Sequence, residues 1–195
     1  MALGARLVPL LVLSALACTA CVSTETTTEV HMPKEDVLTR AEIDRRIYEI
    51  PYMHGLELVH NLERIARIGE PALPRLLEEL HSEKAVMRSS VAWVLGAMGD
   101  RRNIPPLREL LADRVPEVRY EAAASLVDLG DAAGFAVLVD GLSDPQLDNR
   151  FKCFESLRTA TGQDFGYDHD GAPELRRAAV ARWHDWLDGV RASAL

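Results

Sequence analysis

An internal repeat with a period of 31 residues constrains this chain more than any other feature. From residue 56 onwards, three series of apolar residues have members that lie 31 positions apart. They are Leu73, Ile104 and Phe135; Leu76, Leu107 and Leu138; and Leu80, Leu111 and Leu142. Within one copy these positions are spaced as i, i+3 and i+7, which is the apolar stripe of an amphipathic helix. The repeat therefore predicts one helical unit used several times.

A second helical pattern precedes each stripe. Its positions in one copy are Met87, Val91, Leu95 and Met98, and in the next copy Val118, Ala122, Leu126 and Leu129. Between the two patterns stand Gly69, Gly99 and Gly130, each followed by an acid. Glycine readily adopts the left-handed conformation that ends a helix, and an acid is favourable where the next helix begins. Each copy is therefore predicted to be a hairpin of a first and a second helix.

Hairpins of this length cannot bury their apolar faces alone, so they must stack on one another. No segment shows the sustained alternation of a β-strand. The sequence predicts an all-α fold, an α-solenoid of about four stacked hairpins in residues 36–195. A chain of 195 residues that is 48% hydrophobic is long enough for one such array.

The repeat also resembles a known family. Residues 118–131 read Val-Arg-Tyr-Glu-Ala-Ala-Ala-Ser-Leu-Val-Asp-Leu-Gly-Asp, and residues 87–100 follow the same pattern. This pattern is similar to the short bacterial HEAT repeat, also called PBS-lyase-like, and the resemblance covers about residues 56–157. It implies a right-handed α-solenoid and says little about function.

Charged residues recur at the same period. Arg88, Arg119 and Arg150 form one series, and Asp100 and Asp131 form another. The resemblance implies that such arginines and aspartates tie neighbouring hairpins together as a structural ladder. The alternative is that three stacked guanidinium groups bind an anionic ligand.

The two ends of the array depart from the repeat and are predicted to close it. At the C-terminal end, Phe151, Cys153 and Phe154 replace smaller residues, and a longer loop leads to a last helix at about residues 173–188 that carries two tryptophans. Large aromatic residues seal an exposed end efficiently, so this part is predicted to be an aromatic cap. At the N-terminal end, the residues from Thr39 to Glu42 have the spacing of a capping box, which predicts a helix from there to about Ile50.

The first 17 residues have the three-part layout of a secretory signal, with Arg6, an apolar stretch and then small residues before Cys18. This stretch resembles a bacterial lipobox, which implies lipidation of Cys18 or of the competing Cys21. A simple cleaved signal, a Cys18–Cys21 disulfide and free thiols remain alternatives. Residues 18–35 are rich in Thr and Glu and are predicted to form a flexible tether. The chain is thus predicted to be an exported lipoprotein that is anchored to the bacterial cell envelope and faces the periplasm or the exterior.

Several chemistries find no support in the sequence. A net charge of −8 argues against nucleic-acid binding, and three cysteines exclude a disulfide scaffold. The six histidines lack the spacing of a zinc site. Asp164, Asp168 and the Asp170–Gly171 pair form part of a calcium-loop pattern, but the remaining ligands are not at the required spacing. Cys153 occupies a core position, and no nucleophile or phosphate-binding motif is present. We therefore expect no cofactor, no metal and no enzymatic activity.

A protein partner is the predicted ligand. Glu78, Glu109 and Asp140 recur every 31 residues beside the apolar stripe, and we call them the acidic ridge. The second helices line the concave side in similar solenoids, so the acidic ridge with Glu79, Arg75 and Arg108 is predicted to bind a basic segment of another protein. The alternative is a solvated helix face. The predicted function is a non-enzymatic, envelope-anchored scaffold or adaptor.

A second hypothesis places function in the C-terminal loop. It is a ligand-binding or enzymatic accessory role that uses the aromatic residues Phe165, Tyr167, Trp183 and Trp186. A deep pocket beside these residues would favour it, and a closed aromatic plug would count against it.

Overall fold

The computed structural model describes residues 34–193, and all regular structure in that range is helical. The α-helices are α1 (Lys34–Glu49), α2 (Gly55–Ile68), α3 (Leu73–Glu79), α4 (Ala85–Ala97), α5 (Ile104–Glu109), α6 (Pro116–Asp128), α7 (Ala133–Gly141), α8 (Leu147–Thr161) and α9 (Pro173–Ser193). None of these helices is long and apolar enough to cross a membrane. The predicted signal, Cys18, Cys21 and most of the predicted tether lie outside the described residues, so those assignments stay predictions.

The helices form four hairpins, α2/α3, α4/α5, α6/α7 and α8/α9, and α1 precedes the first of them. The first helices pack side by side in the order α2, α4, α6 and α8. Leu76, Leu107 and Leu138, one from each of three second helices, are fully buried. The predicted all-α solenoid of about four hairpins is confirmed.

Two of the three predicted turns inside the hairpins show the expected glycine and acid chemistry, whereas in the third, after Gly69, the Glu70 side chain pairs with Arg102 at 3.6 Å instead of capping the next helix. Gly99 and Gly130 have φ angles of +68° and +76°, in the left-handed region. The next residue, Asp100 or Asp131, accepts a hydrogen bond at 2.9 Å from the backbone N–H two positions further on. The glycine therefore ends the first helix and the aspartate starts the second.

One second helix differs from its predicted pattern. Helix α5 ends at Glu109 and continues as a short 3-10 turn over Leu110–Ala112. The tighter winding of a 3-10 turn rotates the side chains. Leu110 is consequently buried, while Leu111, the predicted core residue, is half-buried.

The N-terminal helix begins earlier than predicted. Helix α1 starts at Lys34, so Thr39 lies inside the helix rather than at its cap. Glu42, the other end of the predicted capping box, is bound by the side chain of Arg46 at 2.5 Å. The capping-box prediction is wrong, although a helix does precede the first hairpin.

The arginine ladder exists, but its partners differ from the predicted ones. Arg88, Arg119 and Arg150 each donate a hydrogen bond to a backbone carbonyl six residues earlier, at 2.7, 2.8 and 2.9 Å. Those carbonyls belong to Ser82, Asp113 and Asp144, another series with a period of 31. Each arginine thus satisfies a carbonyl in the loop that joins two hairpins, a group that no helix would pair.

The predicted acids of the ladder, Asp100 and Asp131, bind other arginines. Asp100 pairs with Arg102 at 2.7 Å, and Asp131 pairs with Arg108 of the preceding hairpin at 2.6 Å. Asp131 therefore does link two hairpins, although through an arginine that we had predicted to bind a partner. An anionic ligand on the ladder is disfavoured, because its guanidinium groups are occupied by protein oxygens.

One joint between hairpins is a buried ion pair. Arg88 donates two hydrogen bonds to the Asp113 carboxylate, at 2.7 and 2.8 Å, and both side chains are less than 10% exposed. Asp113 also accepts the backbone N–H of Val115 at 2.8 Å. These bonds favour the charged carboxylate and hold the pKa of Asp113 below its usual value.

We predict that Leu107→Ala lowers the free energy of unfolding by about 2–5 kcal/mol, because it opens a cavity in the core of the array. Urea denaturation followed by circular dichroism measures the change. Leu77→Ala removes the same atoms from an exposed position of α3 and is expected to cost less than about 1 kcal/mol. Equal losses in the two variants would show that the assigned core is wrong.

We also predict that protonation of the Asp113 carboxylate at low pH lowers the stability of the fold. The folded-state pKa of Asp113 lies below the unfolded value of about 3.9. The ionised carboxylate therefore stabilises the fold fully above about pH 3.9, and this stabilisation disappears as the pH falls through the folded-state pKa. Unfolding free energies measured from about pH 6 down to pH 2 should fall less for Asp113→Asn than for the wild type. Asp140→Asn, the same change at an exposed position, should keep the wild-type dependence. An unchanged acid loss in Asp113→Asn would contradict the role of this pair.

Candidate functional site

The acidic ridge is exposed, as predicted, but its arginine neighbours are already paired. Glu78, Glu109 and Asp140 are all exposed. Arg75 binds Glu78 at 2.9 Å and Glu79 at 2.5 Å, and Arg108 binds Asp131. Arg75 and Arg108 are therefore occupied within the chain. Binding of a partner by the acidic ridge stays a prediction.

The C-terminal aromatic residues form a closed plug. Trp183 is fully buried, and its ring meets those of Phe165 and Trp186 edge-on, with centroids 4.8 and 5.5 Å apart. The Tyr167 hydroxyl donates to the carbonyl of Leu142 at 2.6 Å. The rings fill the space in which the second hypothesis needed a pocket, so this loop caps the array.

Two other groups considered from the sequence have structural roles. Asp164 and Asp168 each accept the backbone N–H two residues further on, at 2.8 and 3.0 Å, which orders the loop. Cys153 is fully buried against Tyr120 and Gly141, and burial raises the pKa of its thiol to about 12. A thiol with that pKa is not an activated nucleophile.

A groove across the first helices is the best candidate site. It has a volume of about 720 Å³, lies over α6 and is flanked by α4 and α8. We call it the outer furrow, and its lining residues are Trp93, Gly96, Ala97, Glu121, Ala124, Ser125, Asp128, Asp148, Phe151, Lys152, Glu155 and Ser156. The outer furrow and α7 lie on different sides of α6: Ala124 lines the furrow, whereas Ala123 packs on Gly134 of α7.

Small residues at the bottom of the outer furrow give it its depth. Helices α4 and α6 approach so closely that a Cβ atom on Gly96 would lie 2.6 Å from the Cβ of Ser125. The Ser125 hydroxyl donates to the carbonyl of Ala92 at 3.0 Å, which fixes this approach. Ala124, beside Ser125, leaves α6 without a large side chain at its centre.

Aromatic side chains stand on the two walls. Trp93 on α4 is half-buried, and Phe151 on α8 is 48% exposed. The ring of Phe151 meets that of His169 at a centroid distance of 4.9 Å, so one edge of Phe151 is held by the cap. Rings in these positions offer apolar surface to a ligand without the entropy cost of ordering flexible chains.

The charge of the outer furrow is predominantly negative. Four carboxylates line it, and Lys152 supplies an ammonium group that is bound to Glu121. Glu155 pairs with Arg158, which lowers the pKa of Glu155. Within the described part of the chain, the carboxylates of Asp128 and Asp148 have no hydrogen-bond or ion-pair partner.

The two unpaired carboxylates differ in their surroundings. Asp128 is at the C-terminal end of α6, where neighbouring protein atoms disfavour its charged form and raise its pKa. Asp148 is in the first turn of α8, where a negative charge is stabilised by the helix dipole. Both carboxylates are available to a cation. A cation would stabilise the charged form of Asp128 most, because burial disfavours that form.

The sequence analysis missed this site, although the repeat contains a signal for it. Trp93, Ala124 and Glu155 occupy the same position in three successive hairpins. A large, a small and a charged residue at one repeated position predict a depression between two walls. Such variation within a series is invisible in the apolar positions that the copies share.

The comparisons with known proteins agree with this architecture. Residues 73–158 match the HEAT-repeat family model. The chain contains HEAT repeats. A chain of the CpcE–CpcF complex, the phycocyanin lyase of Nostoc sp. PCC7120, has a similar fold, with a TM-score of 0.52 and 19% identity over 74% of this chain and 99% of that chain.

Curated relatives of this HEAT array are enzymes. Human deoxyhypusine hydroxylase is 35% identical over 115 residues, which are 56% of this chain and 38% of that enzyme. The deoxyhypusine hydroxylase of Neurospora crassa is 41% identical over 66 residues, which are 33% of this chain and 20% of that enzyme. The chain thus spans less than half the length of these relatives. The prediction of a non-enzymatic scaffold is wrong, because the curated proteins similar to this chain are enzymes.

The described residues contain no cluster of metal-ligating side chains. Iron sites that activate oxygen are built from several histidine and carboxylate ligands. In residues 34–193 no three His, Cys, Asp or Glu side chains come together in an arrangement that could hold a metal ion. The described residues therefore do not fit such a centre.

Proposed function

We propose that this chain is the substrate-binding part of an enzyme that acts on a polypeptide, and that the outer furrow holds that polypeptide. The enzymatic role is supported by the deoxyhypusine hydroxylases that resemble the array. The binding role is supported by the outer furrow, whose geometry is the observation that carries the proposal.

The shape of the outer furrow suits a polypeptide. It runs over three packed helices and contains residues from Asp148, near the start of α8, to Asp128, at the end of α6. Glu117 on α6 lies beside Asn149 on α8, so Asp148 is level with the start of α6. At 1.5 Å per residue the furrow is therefore roughly 16 Å long. That length accommodates several residues of a bound chain.

The outer furrow fits this role better than the acidic ridge does. Its floor lies at the close contact of α4 and α6, and its lining combines apolar rings with unpaired charges. Binding sites typically have such an apolar centre with a few placed polar groups. In this proposal Trp93 and Phe151 bind apolar side chains, while Asp128 and Asp148 orient the polypeptide.

Site-specific photo-cross-linking in the native cells tests the proposal. A photoreactive residue in place of Ala124, on the furrow floor, should capture a discrete polypeptide, and the same residue in place of Leu77, on α3, should not. Mass spectrometry of the captured polypeptide should show a covalent modification that is lost when the chain is deleted.

Complementation supplies the control for this experiment. The wild-type chain should restore the modification, and a folded Trp93→Ala/Phe151→Ala chain should restore less than about a tenth of it, because truncated aromatic anchors are typically costly. A modification that persists without the chain would contradict the enzymatic role. Capture from position 77 but not from position 124 would contradict the assignment of the surface.

A further inference from the structure

We infer that the outer furrow recognises a basic amphipathic helix, and that Lys152 acts as an internal competitor for the cationic groups of that helix. This inference rests on the proposed function and names the chemistry of its bound segment. It follows from the charges, the rings and one ion pair of the furrow.

The charges define the polar side of the bound segment. Asp128 and Asp148 lie at opposite ends of the outer furrow, and neither carboxylate has a partner among the described residues. Ammonium or guanidinium groups spaced along a helix would neutralise both. An acidic segment would instead be repelled by these two unpaired carboxylates, so charge complementarity selects a basic one.

The rings and the floor define the apolar side. A segment that lies over Ala124 and Ser125 meets Trp93 on one wall and Phe151 on the other. Helices α4 and α8 pack on either side of α6, so Trp93 and Phe151 border a channel that runs above the small residues of α6. An amphipathic helix in such a channel places its apolar face on the floor and its cations at the rims.

Lys152 shows that the furrow already holds one ammonium group. Its side chain extends from α8 to Glu121 on α6, across the space that a ligand would enter. The pair neutralises a carboxylate that could otherwise bind the incoming helix. Removal of the Lys152 charge should therefore free Glu121 and strengthen the binding of a basic ligand.

Fluorescence anisotropy on the full-length chain tests the inference. The probe is a labelled synthetic helix of about 15 residues with leucines on one face and lysines on the other, which spans roughly 22 Å. Asp128→Asn/Asp148→Asn should raise the Kd about tenfold, since two charge contacts are lost. Lys152→Met should lower the Kd at least about threefold. Circular dichroism confirms that each variant is folded.

Matched controls separate the outer furrow from a general effect of net charge. Glu78→Gln/Glu109→Gln removes two charges from the acidic ridge and should change the Kd less than about twofold. Lys84→Met removes one positive charge beside Tyr52, away from the furrow, and should not tighten binding.

The outcomes distinguish this inference from the proposed function. A probe with acetylated lysines that binds as tightly as the basic probe would overturn the inference, as would equal weakening by the ridge variant or no binding of the basic probe. In each case, capture of a neutral or acidic polypeptide from position 124 would leave the proposed function intact. A gain of affinity in a folded Lys152→Met chain, with no gain in Lys84→Met, is the result that supports the inference most, because both variants lose one positive charge and only Lys152 lines the furrow.

Discussion

The close approach of α4 and α6 is the constraint on which the rest of the structure depends. Gly96 and Ser125 bring the two helices together at a distance that a Cβ atom on residue 96 would not allow, and the Ser125 hydroxyl locks the contact onto the backbone of α4. Because the same small residues leave no bulk on the outer side of α6, the contact that stacks the hairpins also forms the floor of the outer furrow. Fold and site therefore share one cause.

The joints between hairpins show how a repeat is stabilised without identical chemistry in each copy. Each ladder arginine binds the loop carbonyl six residues earlier, but its remaining donors differ. Arg88 uses them on the carboxylate of Asp113, whereas the equivalent carboxylate of Asp144 accepts the hydroxyl of Tyr120 at 2.9 Å. Arg150 reaches the carbonyl of His169 and so ties the last hairpin to the cap. The backbone contact is constant, and the side-chain partner follows the local sequence.

Much of the fold could be predicted from the sequence because apolar periodicity and glycine turns are local signals. The burial of Leu76, Leu107 and Leu138 and the positive φ of Gly99 and Gly130 follow from them directly. Ion-pair partners could not be predicted, since they depend on how far each hairpin is rotated on its neighbour. The outer furrow does not follow from the repeat pattern, because it arises from differences between the copies, at Trp93, Ala124 and Glu155, and not from what the copies share. No motif in the described residues indicates an enzyme, and only the similarity to curated enzymes does so.

Hydrogen–deuterium exchange of the full-length chain, with and without the polypeptide captured at the furrow, tests the central claim most directly. If the outer face of the first helices is the binding surface, amides of α4, α6 and α8 should exchange more slowly in the complex, and those of α3, α5 and α7 should be unchanged. Protection of α3, α5 and α7 with none in α4, α6 and α8 would place the binding surface on the acidic ridge and contradict the account.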